Sequence, residues 1–237
     1  MRLSIERLRR LRDWEALPEQ TLEALCQAAR IVHTARDEAL FRRGDPEPGL
    51  FLVHCGEYKV SMLSVEGREQ IVYLVDAGKL ITEGFQPKGG DPCRVSAFAR
   101  EASAAWSFPA ADVRRLCHGC GALGNAVNAT LSLRSNRMLD LIYDLSLRSV
   151  EQRVAAFLVY LSRRHDASVE VRIPRDLNVN TVASLLGTTR EELTRTQSKL
   201  QKAGIIAITR HEVRVLDRKA LARLVDGAEP PGPQIVM

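Results

Sequence analysis

The apolar residues of this chain follow different periods in its different parts. Between residues 44 and 78, short apolar stretches such as GLFLVHCG and EQIVYLVDAG are separated by regularly spaced glycines: Gly44, Gly56, Gly67 and Gly78. Short strands joined by glycine turns at this interval predict a small β-roll or barrel. The preceding stretch PEQTLEALCQAAR has helical spacing and predicts a helix with one buried face: Leu22, Leu25, Cys26 and Ala29.

From Leu123 to Leu147 the apolar spacing alternates between three and four residues. This spacing predicts one long helix with a heptad seam, interrupted by the charged Arg134. A seam of this length needs a partner surface, and a coiled coil between two copies supplies one. The alternative is that the seam packs on the chain's own β-roll. Glycines are unfavourable inside helices, so the helix is expected to begin at or after Gly124. The predicted dimer interface is Val127, Leu131, Met138, Leu141 and Leu145.

The last third predicts a helix, a strand, two further helices and two strands. VEQRVAAFLVYLSRR is the first helix, and SVEVRIP is a strand that ends at Pro174. NVNTVASLLG and TTREELTRTQSKLQKAG form two helices hinged at Gly187. The second begins with a capping box of Thr189 and Glu192. The stretch IIAITRHEVRVLD supplies two strands with a tight turn at residues 210–212.

The positive charge is concentrated in the same last third. Residues 1–149 carry 20 Lys and Arg against 19 Asp and Glu, whereas residues 150–227 carry 14 against 9. This asymmetry favours a polyanionic partner, because neutralising phosphates releases counterions; a solvated basic surface is the alternative. The chain shows neither an export signal nor an apolar run of 18 residues, so we expect a cytoplasmic protein without membrane contact.

The five cysteines are an odd number and are dispersed along the chain, so reduced thiols are expected. Cys117 and Cys120 have CxxC spacing, with His118 between them, which is compatible with a metal or redox site. The sequence contains no second CxxC or HxxxH to complete a zinc site. An ordinary turn with two thiols is therefore the preferred interpretation.

The second of the paired helices predicts a DNA-reading surface. Positions 190, 191, 194, 195 and 198 form a solvent-facing stripe, while Leu193 and Leu200 point toward the preceding helix. Ala183 is small enough for close crossing of the two helices, as in a helix-turn-helix unit. Arginine can bind guanine and glutamate can accept from cytosine, although Glu191 and Arg195 could instead form a surface ion pair. The candidate DNA-binding residues are Thr189, Arg190, Glu191, Thr194, Arg195, Ser198 and Lys199.

The chain resembles the Crp/Fnr family of bacterial transcription regulators over nearly its whole length. The resemblance is carried by LFRRGDPEPGLFLVHCGEYKV, EGREQIVYLVDAG, LSLRSVEQRVAAFL and LLGTTREELTR. It implies an α+β fold: a β-roll (double-stranded β-helix) sensor domain at residues 1–122, a dimerisation helix at 123–148 and a winged helix-turn-helix at 149–227. Residues 228–237 are expected to be a disordered tail. Hinge movement is expected at residues 147–150.

The resemblance also implies how the regulator works. Family members bind palindromic DNA as homodimers under the control of a small effector, and RNA polymerase is a further partner. Arg190, Glu191 and Arg195 match the family's readers of G·C pairs, with Arg190 of the Crp type. A TGTGA-like half-site is therefore expected. An enzyme of the cupin kind is disfavoured, because only His54 lies in a predicted strand.

The expected effector pocket departs from the cAMP-binding members. In those members a Gly-Glu pair holds the ribose and an Arg-Ser pair holds the phosphate. Here LITEGF keeps Glu83 but has Thr82 in place of glycine, and PCRVSA has Arg94 displaced by one residue from the expected position before Ser96. The adenine-contacting positions fall on Met138 and Leu139. We therefore expect cAMP not to be the effector.

Other cofactors of the family also require specific residues. An iron-sulfur cluster is disfavoured because the first 25 residues contain no cysteine. The sequence motifs are most similar to those of the Dnr-type subgroup, which is associated with haem and nitric oxide. The candidate haem ligands are then His33, His54 and His118. The effector therefore stays unidentified. A constitutive DNA binder with a degenerate, ligand-free sensor domain is the alternative function.

Overall fold

The computed structural model describes residues 2–164, 171–174, 178–209, 212–225 and 235–236. It divides into two compact units, and the division falls within the longest helix. Unit 1 comprises Met1–Gly67, Val72–Asn136 and Val236–Met237, and unit 2 comprises Arg68–Ile71 and Arg137–Ile235. Within the described part of the chain, no helix has both the length and the apolar character that a membrane span requires.

The N-terminal part is the predicted β-roll with flanking helices. Its elements are α1 (Ile5–Arg9), α2 (Glu19–Ala28), β1 (Arg30–Thr34), β2 (Ala39–Phe41), β3 (Gly49–Cys55), β4 (Glu57–Leu63), β5 (Glu69–Asp76), β6 (Leu80–Ile81), β7 (Ser96–Ala99), β8 (Ser103–Pro109) and α3 (Ala110–Gly119). One sheet has the order β1-β8-β3-β6 and the other contains β5-β4-β7-β2. All four predicted turn glycines have positive φ, from 77° to 91°. At Gly56 a Cβ would lie 2.1 Å from the Ser103 Oγ, so a side chain is excluded there.

The flanking helices share one apolar core with the first sheet. The predicted face of α2 is confirmed, because Leu22 and Leu25 are fully buried and Cys26 and Ala29 pack against the same core. Both tryptophans are also buried in it. The remaining members come from α1, α3 and the start of the next helix, among them Leu8, Trp14, Trp106, Val113, Leu123 and Ala126.

The long helix, α4 (Gly121–Leu147), differs from its prediction in two ways. It begins before Gly124, because burial of Leu123 in the core offsets the cost of the glycines. The assignment of Val127 to a dimer interface is also wrong: its side chain is 4% exposed and packs on the β-roll core, and Leu131 packs against the same core. The first part of the seam therefore packs on the chain's own β-roll, which was the alternative to a coiled coil.

The C-terminal part contains the predicted winged helix-turn-helix. Its elements are α5 (Val150–Arg164), β9 (Val171–Pro174), α6 (Val179–Leu185), α7 (Arg190–Lys202), β10 (Ile206–Ile208), β11 (Glu212–Val215) and α8 (Arg218–Arg223). The antiparallel sheet has the order β10-β11-β9. A final strand, β12 (Ile235–Val236), lies at the edge of the five-stranded sheet beside β5. The other residues of the predicted disordered tail, 228–234 and 237, lie outside the described part of the chain.

Only two residues separate α4 from α5, and both ends of this junction are fixed. Arg148 is buried and donates to the Asp144 carboxylate at 2.6 Å. Ser149 and Gln152 form a reciprocal capping box: the Ser149 amide donates to the Gln152 side chain at 2.9 Å, and the Gln152 amide donates to the Ser149 hydroxyl at 3.2 Å. This is the segment where the sequence predicts a hinge.

Glu57 predicts a pH dependence of stability. Its side chain is 20% exposed and pairs with Arg100. Burial raises the pKa of Glu57 to about 7, against the lowering effect of the Arg100 guanidinium. Because the folded pKa lies above the ordinary value of 4.5, the stabilisation from Glu57 is complete below that value and is lost as the pH rises through about 7.

We therefore expect Glu57→Gln, which mimics the protonated form, to gain stability relative to the parent protein as the pH rises from about 5 to about 8. Urea unfolding followed by the fluorescence of the buried tryptophans measures this difference. Glu101→Gln removes an exposed acid of the same domain and serves as the control. An equal gain in both variants would show that net charge, and not Glu57, is responsible.

Candidate nucleic-acid interface and effector pocket

Helix α7 has a defined beginning and end. The Thr189 Oγ accepts a hydrogen bond from the Glu192 amide at 3.2 Å, and Gly204, with φ of 69°, follows the last turn. The predicted capping box is half formed, because the Glu192 carboxylate pairs with Arg195. The local signals for the ends of this helix are therefore confirmed, with Glu192 serving an ion pair.

The inner side of α7 is held by apolar packing. Leu193, Thr196 and Leu200 are buried at spacings of three and four residues, as a helix face requires. From α6, Ala183 and Leu185 are buried, and the Thr188 amide donates to the Ala183 carbonyl at 3.0 Å. This packing sets the rotation of α7, so its outer side has a fixed set of residues.

The outer side of α7 carries the predicted reading residues. Arg190 and Glu191 are exposed in the first turn, and within the described residues neither side chain has a hydrogen-bond or ion-pair partner. Thr194 is exposed and its hydroxyl donates to the Arg190 carbonyl at 2.8 Å. Thr189, Arg195, Ser198 and Lys199 are also exposed. The structure thus brings all seven candidate residues to the outer side of one helix.

Two of these side chains form ion pairs within the chain. Arg195 pairs with Glu192, three residues earlier, so the alternative pairing of Arg195 with Glu191 does not form. The Lys199 ammonium donates a hydrogen bond to the Glu151 carboxylate on α5 at 2.5 Å. The sequence stripe did not reveal this second pair, because Glu151 is distant in the chain.

A small antiparallel sheet accompanies the two helices. In β10, β11 and β9, Ile208 pairs with Val213, and Val213 pairs with Ile173. The Thr209 amide donates to the Glu212 carbonyl at 2.9 Å, which brings the ends of β10 and β11 together. Arg210 and His211, at the predicted turn, lie outside the described residues.

The predicted effector residues do not converge on one pocket. Thr82 is 2% exposed, and its amide donates to the Glu83 carboxylate at 3.0 Å. Arg94 is exposed, and the Ser96 hydroxyl accepts from the Arg43 amide at 2.9 Å. On α4, Met138 and Leu139 are exposed, at 38% and 62%.

Glu83 belongs instead to a buried polar cluster with Arg134 and Tyr73. The Tyr73 hydroxyl donates to the Glu83 carboxylate, and the Arg134 guanidinium lies 4.0 Å from the centre of the Tyr73 ring. Arg134 also donates to the Leu80 carbonyl at 2.7 Å, and its Nε lies 3.9 Å from Glu83 Oε1. Sequence reasoning missed Arg134 as a pocket residue, although its charge in the heptad seam was the available signal.

The cluster leaves two polar atoms without a partner. Arg134 Nη1, a donor, and Glu83 Oε1, an acceptor, are buried and make no hydrogen bond with the described residues. Both side chains are 9% exposed. Burying polar atoms without partners costs free energy, so these two atoms mark a place where a polar ligand would be favoured.

The residues expected to bind a cyclic nucleotide are not arranged around one space. The carboxylate expected to hold the ribose is bonded to Tyr73 and Thr82 and faces Arg134. The arginine expected to hold the phosphate, Arg94, is exposed.

The three candidate haem ligands differ in their hydrogen bonds and exposure. His54 accepts from the Arg7 guanidinium and packs 4.4 Å from the Trp106 ring; burial, then Arg7 and His33, lower the pKa of His54. His33 is exposed on β1. His118 is exposed and donates to the Arg114 carbonyl at 2.7 Å. In the described ranges, no group of three or more His, Cys, Asp or Glu side chains could hold a metal ion.

Comparison with known proteins agrees with this geometry. Residues 31–120 match the model of the cyclic nucleotide-binding domain, and residues 152–224 match that of the Crp-like helix-turn-helix domain. The transcriptional activator protein anr of Pseudomonas aeruginosa is 28% identical over 217 residues, covering 87% of this chain and 86% of that protein. The fumarate and nitrate reduction regulatory protein of Escherichia coli is 28% identical over 196 residues, covering 80% and 76%.

A solved structure shares the whole architecture. The c-di-GMP responsive global regulator CLP of Xanthomonas campestris superimposes with a TM-score of 0.70 at 19% identity, covering 84% of this chain and 100% of that one. A β-roll, a long helix and a helix-turn-helix define a DNA-binding transcription regulator rather than an enzyme. The chain belongs to the Crp/Fnr family of transcription regulators.

The Arg134–Glu83 contact predicts a coupling between two substitutions. Arg134→Met leaves the buried Glu83 carboxylate without its cation and is expected to destabilise the β-roll by about 3 kcal/mol. Adding Glu83→Gln removes the uncompensated charge and is expected to recover at least about 1 kcal/mol of that loss. Urea unfolding followed by the buried tryptophans completes the double-mutant cycle. Additive losses would mean that the two side chains do not interact.

Proposed function

We propose that the protein works as a homodimer that reads a palindromic operator, with one α7 in the major groove of each half-site. The exposed and unpaired Arg190 and Glu191, in the first turn of a capped helix with a buried inner side, carry this proposal. In helix-turn-helix proteins these N-terminal residues of the second helix reach the base edges. A TGTGA-like half-site fits an arginine that binds guanine and a glutamate that accepts from cytosine.

The other candidate residues have different roles in this proposal. Arg195 is an additional base reader that remains oriented by Glu192. The hydroxyl groups of Thr189, Thr194 and Ser198 are suited to phosphate oxygens, which position the helix without specifying sequence. Lys199 contacts phosphate and exchanges its Glu151 partner for DNA.

We infer that the later part of α4 forms the dimer interface. Leu139 is 62% exposed and Ile142, three residues further on, is 58% exposed. Such apolar exposure on one helix is typical of a surface that another chain covers. The interface of the proposal therefore contains Met138, Leu141 and Leu145 from the predicted seam together with Leu139 and Ile142, and omits Val127 and Leu131.

A small polar effector, rather than a cyclic nucleotide, is the favoured ligand of the sensor domain. The unpartnered Arg134 Nη1 and Glu83 Oε1 call for a molecule that offers one acceptor and one donor. The CLP regulator, which has the same fold, is a c-di-GMP responsive regulator, so the fold alone does not specify the effector. Haem is not part of the proposal, because His54 is bonded to Arg7 and His118 to the Arg114 carbonyl. RNA polymerase is the further partner that the family implies.

The alternative is a constitutive DNA binder. The Arg134–Glu83–Tyr73 cluster favours it, because the chain's own side chains occupy the carboxylate expected to bind a ligand. The two functions differ in one measurable property, since a constitutive binder has the same operator affinity in the presence of any small molecule.

The reader assignment predicts a loss of sequence preference. Arg190→Ala is expected to lower the affinity for the preferred operator by about 1 to 3 kcal/mol and to relax the preference at one base pair. Fluorescence anisotropy with operators that vary one base pair at a time measures both effects.

Lys199→Ala is the matched contrast from the same helix. Loss of a phosphate contact weakens binding to all sequences alike and reduces its salt dependence. Unchanged base preference in Arg190→Ala would refute the assignment of Arg190 as a reader.

The dimer proposal predicts that a charge on α4 separates the two copies. Ile142→Asp is expected to give monomers in sedimentation equilibrium and to abolish tight operator binding, because a buried, unpaired carboxylate is costly. Leu63→Asp makes the same kind of change at a similarly exposed position, 61%, in the β-roll and should remain dimeric. A dimeric Ile142→Asp variant would show that another surface mediates association.

A further inference from the structure

Cys117 and Cys120 lie where α3 ends and α4 begins. Cys117 is in the last turn of α3, and Cys120 follows its final residue. The Cys120 amide still donates to the Leu116 carbonyl at 2.9 Å, as in a continuing helix, while its carbonyl accepts from the Gly124 amide at 3.2 Å in the first turn of α4. Cys120 therefore makes the last backbone hydrogen bond of α3 and accepts the first one of α4.

This position places the two thiols close to disulfide reach. Residues three apart on a helix have Cβ atoms about 5 to 6 Å apart, and the amide of Cys120 keeps its helical bond to the Leu116 carbonyl. A disulfide spans Cβ atoms about 3.5 to 4.5 Å apart. Bond formation therefore needs a backbone adjustment of about 1 to 2 Å, which the flanking Gly119 and Gly121 allow.

The surroundings of Cys120 favour a thiolate. The Thr21 hydroxyl, followed by the backbone amide of Leu123, bonds the sulfur and lowers the pKa of Cys120 below its ordinary value. The 27-residue helix α4 also presents its positive dipole end there. At Cys117, burial and then the charge of Cys120 raise the pKa.

Both cysteines are half-buried and pack against the apolar core of the β-roll domain. Cys120 lies beside the exposed His118 and Gly119. Cys117 lines a cavity of about 250 Å³ whose wall also includes Phe85, Arg114 and Asn128. A peroxide-sized molecule fits such a cavity.

The remaining cysteines lack this combination. Burial raises the pKa of Cys93 and that of Cys26, which disfavours their thiolates. Cys55 is exposed, but it has no second thiol within a helical turn. Metal binding at the pair is disfavoured as well, because no third ligand joins the two thiols among the described residues.

We propose that Cys120 and Cys117 form a modification site for small hydroperoxides, with Cys120 as the attacking thiolate and Cys117 as the resolving thiol. The Cys120 sulfur attacks the terminal peroxide oxygen, the O–O bond breaks, and the leaving alkoxide takes the proton that Cys120 lost and becomes an alcohol. The sulfur is oxidised by two electrons to a sulfenic acid. Cys117 then attacks that sulfur, the S–O bond breaks, and water leaves with the Cys117 proton. The net reaction converts two thiols and one hydroperoxide into a disulfide, an alcohol and water.

The test uses the purified full-length chain and hydrogen peroxide in stoichiometric amount near neutral pH. Trypsin cleaves after Arg115 and Arg134, so both cysteines remain in one peptide, residues 116–134. Mass spectrometry after alkylation is expected to show this peptide without alkyl groups and lighter by two hydrogen atoms, with Cys55 fully alkylated.

Single substitutions separate the two roles. Cys120→Ser should abolish oxidation within the peptide, whereas Cys117→Ser should stop at a sulfenic acid on Cys120 that a 1,3-dione traps. Thr21→Val should raise the pH at which Cys120 reaches half its maximal alkylation rate, while Cys55 stays unchanged. Because thiolate fraction and nucleophilicity oppose each other, a change of one pKa unit corresponds to about a threefold change in rate.

Two results would overturn the proposal. One is oxidation of Cys55 before residues 116–134 in the parent protein, which would mean that exposure alone controls reactivity. The other is a Cys120→Ser variant in which Cys117 oxidises as fast as in the parent protein. Neither readout depends on DNA binding, so failure of this proposal is distinct from failure of the proposed function.

Discussion

A guanidinium group that is almost fully buried must find its acceptors inside the protein, and this requirement orients helix α4. Arg134 donates to the Leu80 carbonyl, lies over the Tyr73 ring and faces the Glu83 carboxylate. All three partners belong to β5, β6 and the residues that follow, so the side of α4 that carries Arg134 must face the β-roll. On the same stripe, Val127 is buried in the β-roll core and Leu131 packs against it. A different side of the helix, which includes Leu139, is left exposed.

This orientation explains why the heptad spacing predicted the helix correctly but assigned the wrong partner to Val127 and Leu131. Spacing reports which residues share a side of a helix, but not what covers that side. A charged residue in a seam is compatible with a coiled coil, and only the distant partners of Arg134 reveal that it turns into the β-roll. The start of α4 could not be predicted for a similar reason. The burial of Leu123, a tertiary effect, outweighs the low helix propensity of Gly121 and Gly124.

The helix-turn-helix was predictable because its determinants are local. Thr189 caps α7 within three residues, Gly204 ends it, and the spacing of Leu193 and Leu200 identifies the inner side. The outer side follows by exclusion, which placed Arg190 and the neighbouring candidates correctly on the surface. What the sequence could not show is the partner of each exposed charge, since the ion pair of Lys199 crosses to another helix.

The cluster of Arg134, Glu83 and Tyr73 also determines how a ligand bound there would affect α4. An effector shifts a regulator between states only by binding one state better than the other. Arg134 belongs to α4 and Glu83 to the β-roll, and each keeps one unpartnered buried atom. A molecule that satisfies both atoms strengthens the attachment of α4, whereas one that bonds only Glu83 competes with Arg134 and weakens it. Because α4 also carries the proposed dimer surface, the proposed regulation would depend on which of these two modes a ligand uses.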